Sequence, residues 1–307
     1  MNAGGSARAS RILRRVMTRD ASRRSTRLPA AAIALAVAAA CAGRTDAAAF
    51  EASIGFERVE GEFGSDENRR FDQMFVQTKF GGAGSRLLVR LPYLRVDRTG
   101  NVTTTADGPI VLGRGGPGRP AWQESDAGEG ESGIGDVYLR SDTFLSRAGQ
   151  GKRPALAFVL DLKWPTADEK SGLGTGEMDW GAGLDYVQPL GKVVQILGVA
   201  HYRFMGSPEG VVFDDRLRLS VGLAFVSAHA TWRIVGENSP PVLDQVPLLD
   251  AAGMPAGFLD VEDYRTARGE VVIRSGDGGS TRIYALTGLN DSSPNLGFGI
   301  VLSSGPQ

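Results

Sequence analysis

The stretch Ala155-Leu156-Ala157-Phe158-Val159-Leu160-Asp161-Leu162-Lys163-Trp164 decides how the chain is read. Leu156, Phe158, Leu160, Leu162 and Trp164 share one parity. Ala155, Ala157, Val159, Asp161 and Lys163 share the other. Successive side chains of a strand point to opposite faces, so this stretch has one apolar face and one carrying charge. Its length is also that of a strand tilted across a bilayer, about 9–11 residues.

The alternation recurs on both sides. In Ile134–Leu145, Val137, Leu139, Ser141, Thr143 and Leu145 oppose Asp136, Tyr138, Arg140 and Asp142. In Asp179–Tyr186, Trp180, Ala182, Leu184 and Tyr186 oppose Asp179, Gly181, Gly183 and Asp185. In Arg216–Phe225, Leu217, Leu219, Val221, Leu223 and Phe225 oppose Arg216, Arg218, Ser220, Gly222 and Ala224. About twelve such strands are predicted, at 50–59, 71–80, 86–96, 134–145, 154–164, 179–189, 193–205, 216–226, 230–237, 269–275, 281–289 and 295–303. No stretch after residue 50 has the roughly 18 apolar residues of a membrane helix.

A soluble sandwich alternates in the same way. The connections separate the two. Gly81–Ser85, Ser146–Arg153, Pro189–Lys192, Ser227–His229 and Gly276–Ser280 are short. Glu60–Arg70, Asp97–Gly133, Pro165–Met178, Gly206–Asp215 and Asn238–Arg268 are longer and more polar, and Asn290–Pro294 breaks the trend. Short turns alternating with long loops is the pattern of bacterial outer-membrane barrels with both termini on the periplasmic side. The loop Asp97–Gly133 reads as exposed coil; Asn238–Arg268 reads either as folded into the lumen or as a short helix.

Lys plus Arg (34) balances Asp plus Glu (35) in these 307 residues, so there is no basic excess for nucleic acid. Residues 1–49 read as a cleaved signal peptide, and 50–307 as the barrel. Arg8, Arg11, Arg14, Arg15, Arg19, Arg23, Arg24 and Arg27 precede the short apolar run Leu28–Ala40, and Ala47-Ala48-Ala49 supplies the small-residue cleavage site. Met17 is an alternative start. Cys41, the one cysteine, reads as a small signal residue, with lipid modification left open. A mature chain without cysteine needs no disulfide.

Four stretches also carry a family resemblance: Gly133–Arg140 (GIGDVYLR), Leu162–Asp168 (LKWPTAD), Gly172–Gly181 (GLGTGEMDWG) and Leu286–Gly299 (LTGLNDSSPNLGFG). In order and spacing the chain resembles the outer-membrane transporter barrels grouped with the meta-pathway of phenol degradation. It departs at Ala167, where that family shows Gly, and in ending on Ser303-Ser304-Gly305-Pro306-Gln307 rather than on an aromatic residue. The resemblance implies import of aromatic or other hydrophobic compounds.

Catalytic equipment is sparse. His201 and His229 are the two histidines, and no G-x-S-x-G elbow is present. Gly172–Gly176 leads into a strand, not the helix a phosphate cradle needs. The acidic stretch Glu124–Asp136 reads as a solvated loop. No cofactor and no metal are expected. If the apolar faces meet lipid, the lumen holds Arg86, Arg90, Asp136, Tyr138, Arg140, Asp142, Asp161, Lys163, Asp179, Asp185, His201, Arg203, Arg216, Arg218 and Arg233, with Gln195, Glu237 and Arg274 beside them. Trp164, Trp180, Tyr186, Tyr202 and Trp232 fit an interfacial aromatic girdle.

The sequence therefore predicts a transmembrane antiparallel β-barrel in the outer membrane of a Gram-negative bacterium. Its expected partners are membrane lipid and lipopolysaccharide, the barrel-assembly machinery and a small-molecule solute. The expected activity is passive passage of small hydrophobic or aromatic compounds. A structural or adhesive barrel with a blocked lumen, an outer-membrane enzyme using His201, and a soluble periplasmic β protein stay open on the residues alone.

Overall fold

The computed structural model describes residues 49–305, except 63–67, 98–101, 106–107, 112–129, 148–152, 169–172, 208–212, 241–244, 250–254, 261–262 and 277. The segment before Ala49 that reads as a signal peptide, with Met17 and Cys41, falls outside the described residues, as do residues 124–129 of the acidic stretch.

The strands are β1 (Ala49–Gly61), β2 (Arg69–Gly81), β3 (Ser85–Val96), β4 (Val102–Thr105), β5 (Gly108–Val111), β6 (Glu131–Ile134), β7 (Val137–Ser146), β8 (Ala155–Trp164), β9 (Asp179–Pro189), β10 (Val194–Phe204), β11 (Arg216–Val226), β12 (Ala230–Ser239), β13 (Gln245–Leu249), β14 (Pro255–Asp260), β15 (Tyr264–Arg274), β16 (Ser280–Gly288) and β17 (Leu296–Ser304). Among the described residues there is no helix long and apolar enough to cross a membrane.

One sheet runs β2-β1-β17-β16-β15-β12-β11-β10-β9-β8-β7-β3, and β3 pairs back with β2, so the wall closes. Every pairing in it is antiparallel. β6 and β7 are two halves of one wall strand, both paired to β3. The wall thus has twelve strands, and the first and last meet from Ala52↔Ser304 to Glu60↔Leu296. Closure satisfies the backbone groups that an edge strand would leave unpaired in lipid.

Three expectations need correction. The loop 238–268 is shorter, because β15 begins at Tyr264 rather than at 269. Its outer positions there, Arg265, Ala267 and Gly269, lack the large apolar residues that mark the other strands. What remains of that loop is neither helix nor coil throughout; it carries the β13–β14 hairpin. The loop 97–133 likewise contains the β4–β5 hairpin and ends in β6.

Large apolar side chains stand exposed around the outside, including Ile54, Val76, Leu91, Leu184, Leu219, Val221, Ile234 and Ile300. In a soluble sandwich these faces would pack against one another. Instead the inward parity is buried or polar. Exposed aromatics flank the band: Tyr93, Trp164 and Tyr202 at the long-loop end, and Phe50, Phe80, Tyr186, Phe225 and Trp232 at the short-turn end. Trp180 stacks on Phe204 at 4.0 Å within the former. A lipid-facing apolar belt between aromatic girdles is what a bilayer selects on a barrel surface. At the short-turn end, Gly191 turns the chain with φ +96° between β9 and β10.

Candidate functional site: the barrel interior

Inward positions follow from the pleat. The predicted lumen residues Arg86, Arg90, Tyr138, Arg140, Asp142, Asp161, Lys163, Asp179, Asp185, His201, Arg203, Arg216, Arg218 and Arg233 lie on the inner parity of their strands, and Asp136 sits in the break between β6 and β7. The barrel encloses a cavity of about 730 Å³, lined by every wall strand except β17; Asp161, Asp179, His201 and Arg216 are not among its lining residues, and the other predicted lumen residues are. Its lining runs from Lys79, Arg86 and Val187 near the short-turn end to Val59, Phe71, Val96 and Leu173 near the long-loop end.

On the β7–β10 wall the charges are paired. Arg140 bridges Asp142 at 2.7 Å and also reaches Asp185. Arg86 contacts the same Asp142 at 2.7 Å. Arg203 holds Asp161 through Nε and Nη2, at 3.1 and 2.9 Å. His201 Nε2 sits 2.9 Å from Asp185, with Asp161 3.9 Å from Nδ1. Its ring lies over Gly183, where a Cβ would stand 2.1 Å from its Cδ2. Buried ions are tolerated only with such partners. The hydrogen-bond partner of His201 is the Asp185 carboxylate.

Near the long-loop end the motif residues converge. Lys163 is 3% exposed and lies 3.0 Å from Asp136, 3.3 Å from Asp179 and 2.7 Å from Thr175 Oγ1. Asp136 Oδ1 accepts from the Thr166 and Ala167 amides, both at 3.0 Å. Thr166 Oγ1 donates to the Gly135 carbonyl and accepts from Val137 N. This stitching lies at the β6–β7 break, opposite Pro92, whose carbonyl accepts from Gly135 N. A proline has no N–H for the ladder, so pairing is interrupted there. Gly174 passes so close to Asp136 that a Cβ would meet its Oδ2 at 2.8 Å, and Gly176 takes φ +71°. The glycines of this loop therefore serve close approach and a left-handed turn.

The loop folds inward. Leu173 is 3% exposed and packs with Val59, Phe71, Leu94 and Val96, with Ala167 against the cluster. A small apolar collar thus forms at one side of the mouth, over the charged middle of the lumen. The closing motif is structural: Ser293 is fully buried, accepts from Arg265 N and donates to Asn290 Oδ1, while Asn290 Nδ2 donates to the Asp263 carbonyl.

The sequence did not single out Glu57, Lys79, Arg268, Glu270, Arg282 or Tyr284, nor the role of Leu173. Arg268 was assigned to a loop. Arg282 and Tyr284 were discoverable from their shared parity with Leu286 on β16.

No family model matches the chain, and no curated protein matches it by sequence. Among solved structures it is similar to the COG4313 outer membrane channel from Pseudomonas putida F1, with a TM-score of 0.59 and 13% identity over 85% of this chain and 97% of that one. It also matches the NanC porin (TM-score 0.47, 6% identity, 83% and 97% of the two chains). A third match is the P. putida toluene transporter TodX (TM-score 0.40, 9% identity, 86% and 91%). At this identity the first likeness shows a shared barrel fold. The other two add no further argument.

Proposed function

We propose that the chain is a passive channel of the bacterial outer membrane for small hydrophobic or aromatic compounds, akin to the transporters grouped with phenol degradation. One observation carries this reading: a cavity that runs most of the height of a closed, lipid-faced barrel, with an apolar collar at one mouth. The ion pairs of Arg140, Lys163 and Arg203 lie along the β7–β10 wall and leave the bore beside them, which favours passage over a plugged, purely structural barrel. The lumen residues set selectivity by size and charge. The N-terminal segment directs export, and the assembly machinery and outer-leaflet lipopolysaccharide are the partners this location brings.

A pure phospholipid vesicle passes apolar solutes unaided, so the test belongs in cells with a lipopolysaccharide outer leaflet. Uptake of a labelled aromatic hydrocarbon should rise several-fold in cells expressing the chain over vector controls. Leu173→Ala, which opens the collar, should raise it further. Equal uptake with and without the chain would sink the reading.

A further inference from the structure

Four arginines, Arg90, Arg233, Arg268 and Arg282, line the cavity from β3, β12, β15 and β16. Among the described residues a single carboxylate lies within salt-bridge distance of any of them. It is Glu270, 2.8 Å from Arg233 Nη1 and 3.8 Å from Arg282 Nε. Arg282 is near enough to act electrostatically on both Arg90 and Arg233, and Arg268 acts on Arg233. Glu57, on β1, lines the same cavity and also acts electrostatically on Arg90, so four guanidiniums share two carboxylates.

Two of them are held in place by neutral partners. Arg90 donates through Nε and Nη2 to Gln77 Oε1, a neutral acceptor, at 3.1 and 2.9 Å. Its guanidinium lies 4.4 Å from the centroid of Phe75, and that of Arg268 lies 5.8 Å from the centroid of Tyr284. Each ring is pressed against a glycine of the neighbouring strand. A Cβ at Gly55 would stand 2.2 Å from Phe75 Cζ, and one at Gly299 would stand 2.3 Å from Tyr284 Cζ. The order glycine, ring, guanidinium is built twice. A π face orients a cation and leaves its charge in place. Leu88, Val187, Leu197 and Val199 line the same cavity and offer apolar surface.

We propose that this cluster binds a small organic anion with an apolar body, an aromatic or short-chain carboxylate. The planar guanidinium fork matches a carboxylate's two oxygens, and the apolar lining takes the remainder. Strongly hydrated inorganic anions gain nothing from that lining. The inference rests on the channel reading and narrows its solute class: an ionised acid is also the kind of aromatic compound that cannot cross lipid unaided.

The test uses benzoate against benzyl alcohol, which share the ring and a similar size but of which only benzoate is charged. Binding to the purified full barrel in detergent is measured by calorimetry, and block of its ion current in planar bilayers is measured in parallel. Benzoate should bind and reduce the current; benzyl alcohol should do neither at the same concentration. Arg90→Gln with Arg268→Gln should weaken benzoate by roughly tenfold or more, the loss expected of a charge-assisted contact. Arg265→Gln, at the rim and paired with Asp263, should leave it unchanged. Equal affinity for the two probes, or benzoate binding that survives the double substitution, overturns the proposal. A chloride-selective current with no benzoate binding also overturns it while leaving the channel standing. Benzoate binding lost in the double variant of a barrel that carries no current supports the site and counts against the channel.

Discussion

The two sides of the lumen use the same residue types differently. On β7–β10, Arg140, Lys163 and Arg203 each meet carboxylates at hydrogen-bonding range, and Lys163 has two of them. On the rest of the wall, from β3 beside β7 round to β15, Arg90 and Arg268 rest on a neutral amide and on aromatic faces. Fully paired charges cancel their own field and brace the wall. Cations that outnumber their carboxylates leave a field in the cavity for a solute to meet. The comparison assigns structure to the first side and recognition to the second.

That division can be broken from either side. The largest effect is expected at Lys163. Lys163→Met strands Asp136 and Asp179 as buried charges, and breaking a buried pair in this way costs about 3–5 kcal/mol. Urea unfolding from lipid vesicles measures it, and a loss below about 1 kcal/mol would remove the bracing role. Gly299→Ala comes next. The new methyl displaces the Tyr284 ring tip, which can swing, so about 1 kcal/mol is expected, the low end of overpacking. The anion preference of the current should fall with it, because Arg268 loses its platform. Arg268→Gln should leave stability within about 0.5 kcal/mol, as for a substitution away from core contacts. Yet it should lower the anion preference; a large stability loss would mean that this side is structural too. The smallest effect is that of salt. At about 1 M ionic strength the screening length shrinks to roughly 3 Å. Anion preference should then fade while the unfolding midpoint set by the buried Lys163 knot stays put.

How far the sequence could be read follows from the same physics. β8 was legible because five apolar residues alternate with Asp161 and Lys163, and the inner parity of most strands followed. Near Arg265 the outer face carries no large apolar residue until Val271, so the first turn of pairing in β15 was invisible and Arg268 was placed in a loop. The inward fold of Leu173 had no periodic signal either; one leucine among glycines gains meaning only when Val59, Phe71 and Leu94 are brought to it from distant strands. The motifs Gly133–Arg140, Leu162–Asp168 and Gly172–Gly181 were visible as a set. What joins them in this chain, a single knot around Lys163, needed the fold.

The most direct test of the account is single-channel recording of the refolded barrel, residues 50–307, in planar bilayers under a salt gradient. Discrete steps with a reversal potential on the chloride side are predicted, and that preference should shrink in Arg90→Gln with Arg268→Gln. A barrel that inserts but stays silent, or one that prefers cations, would contradict a cavity open to solutes and governed by its arginines.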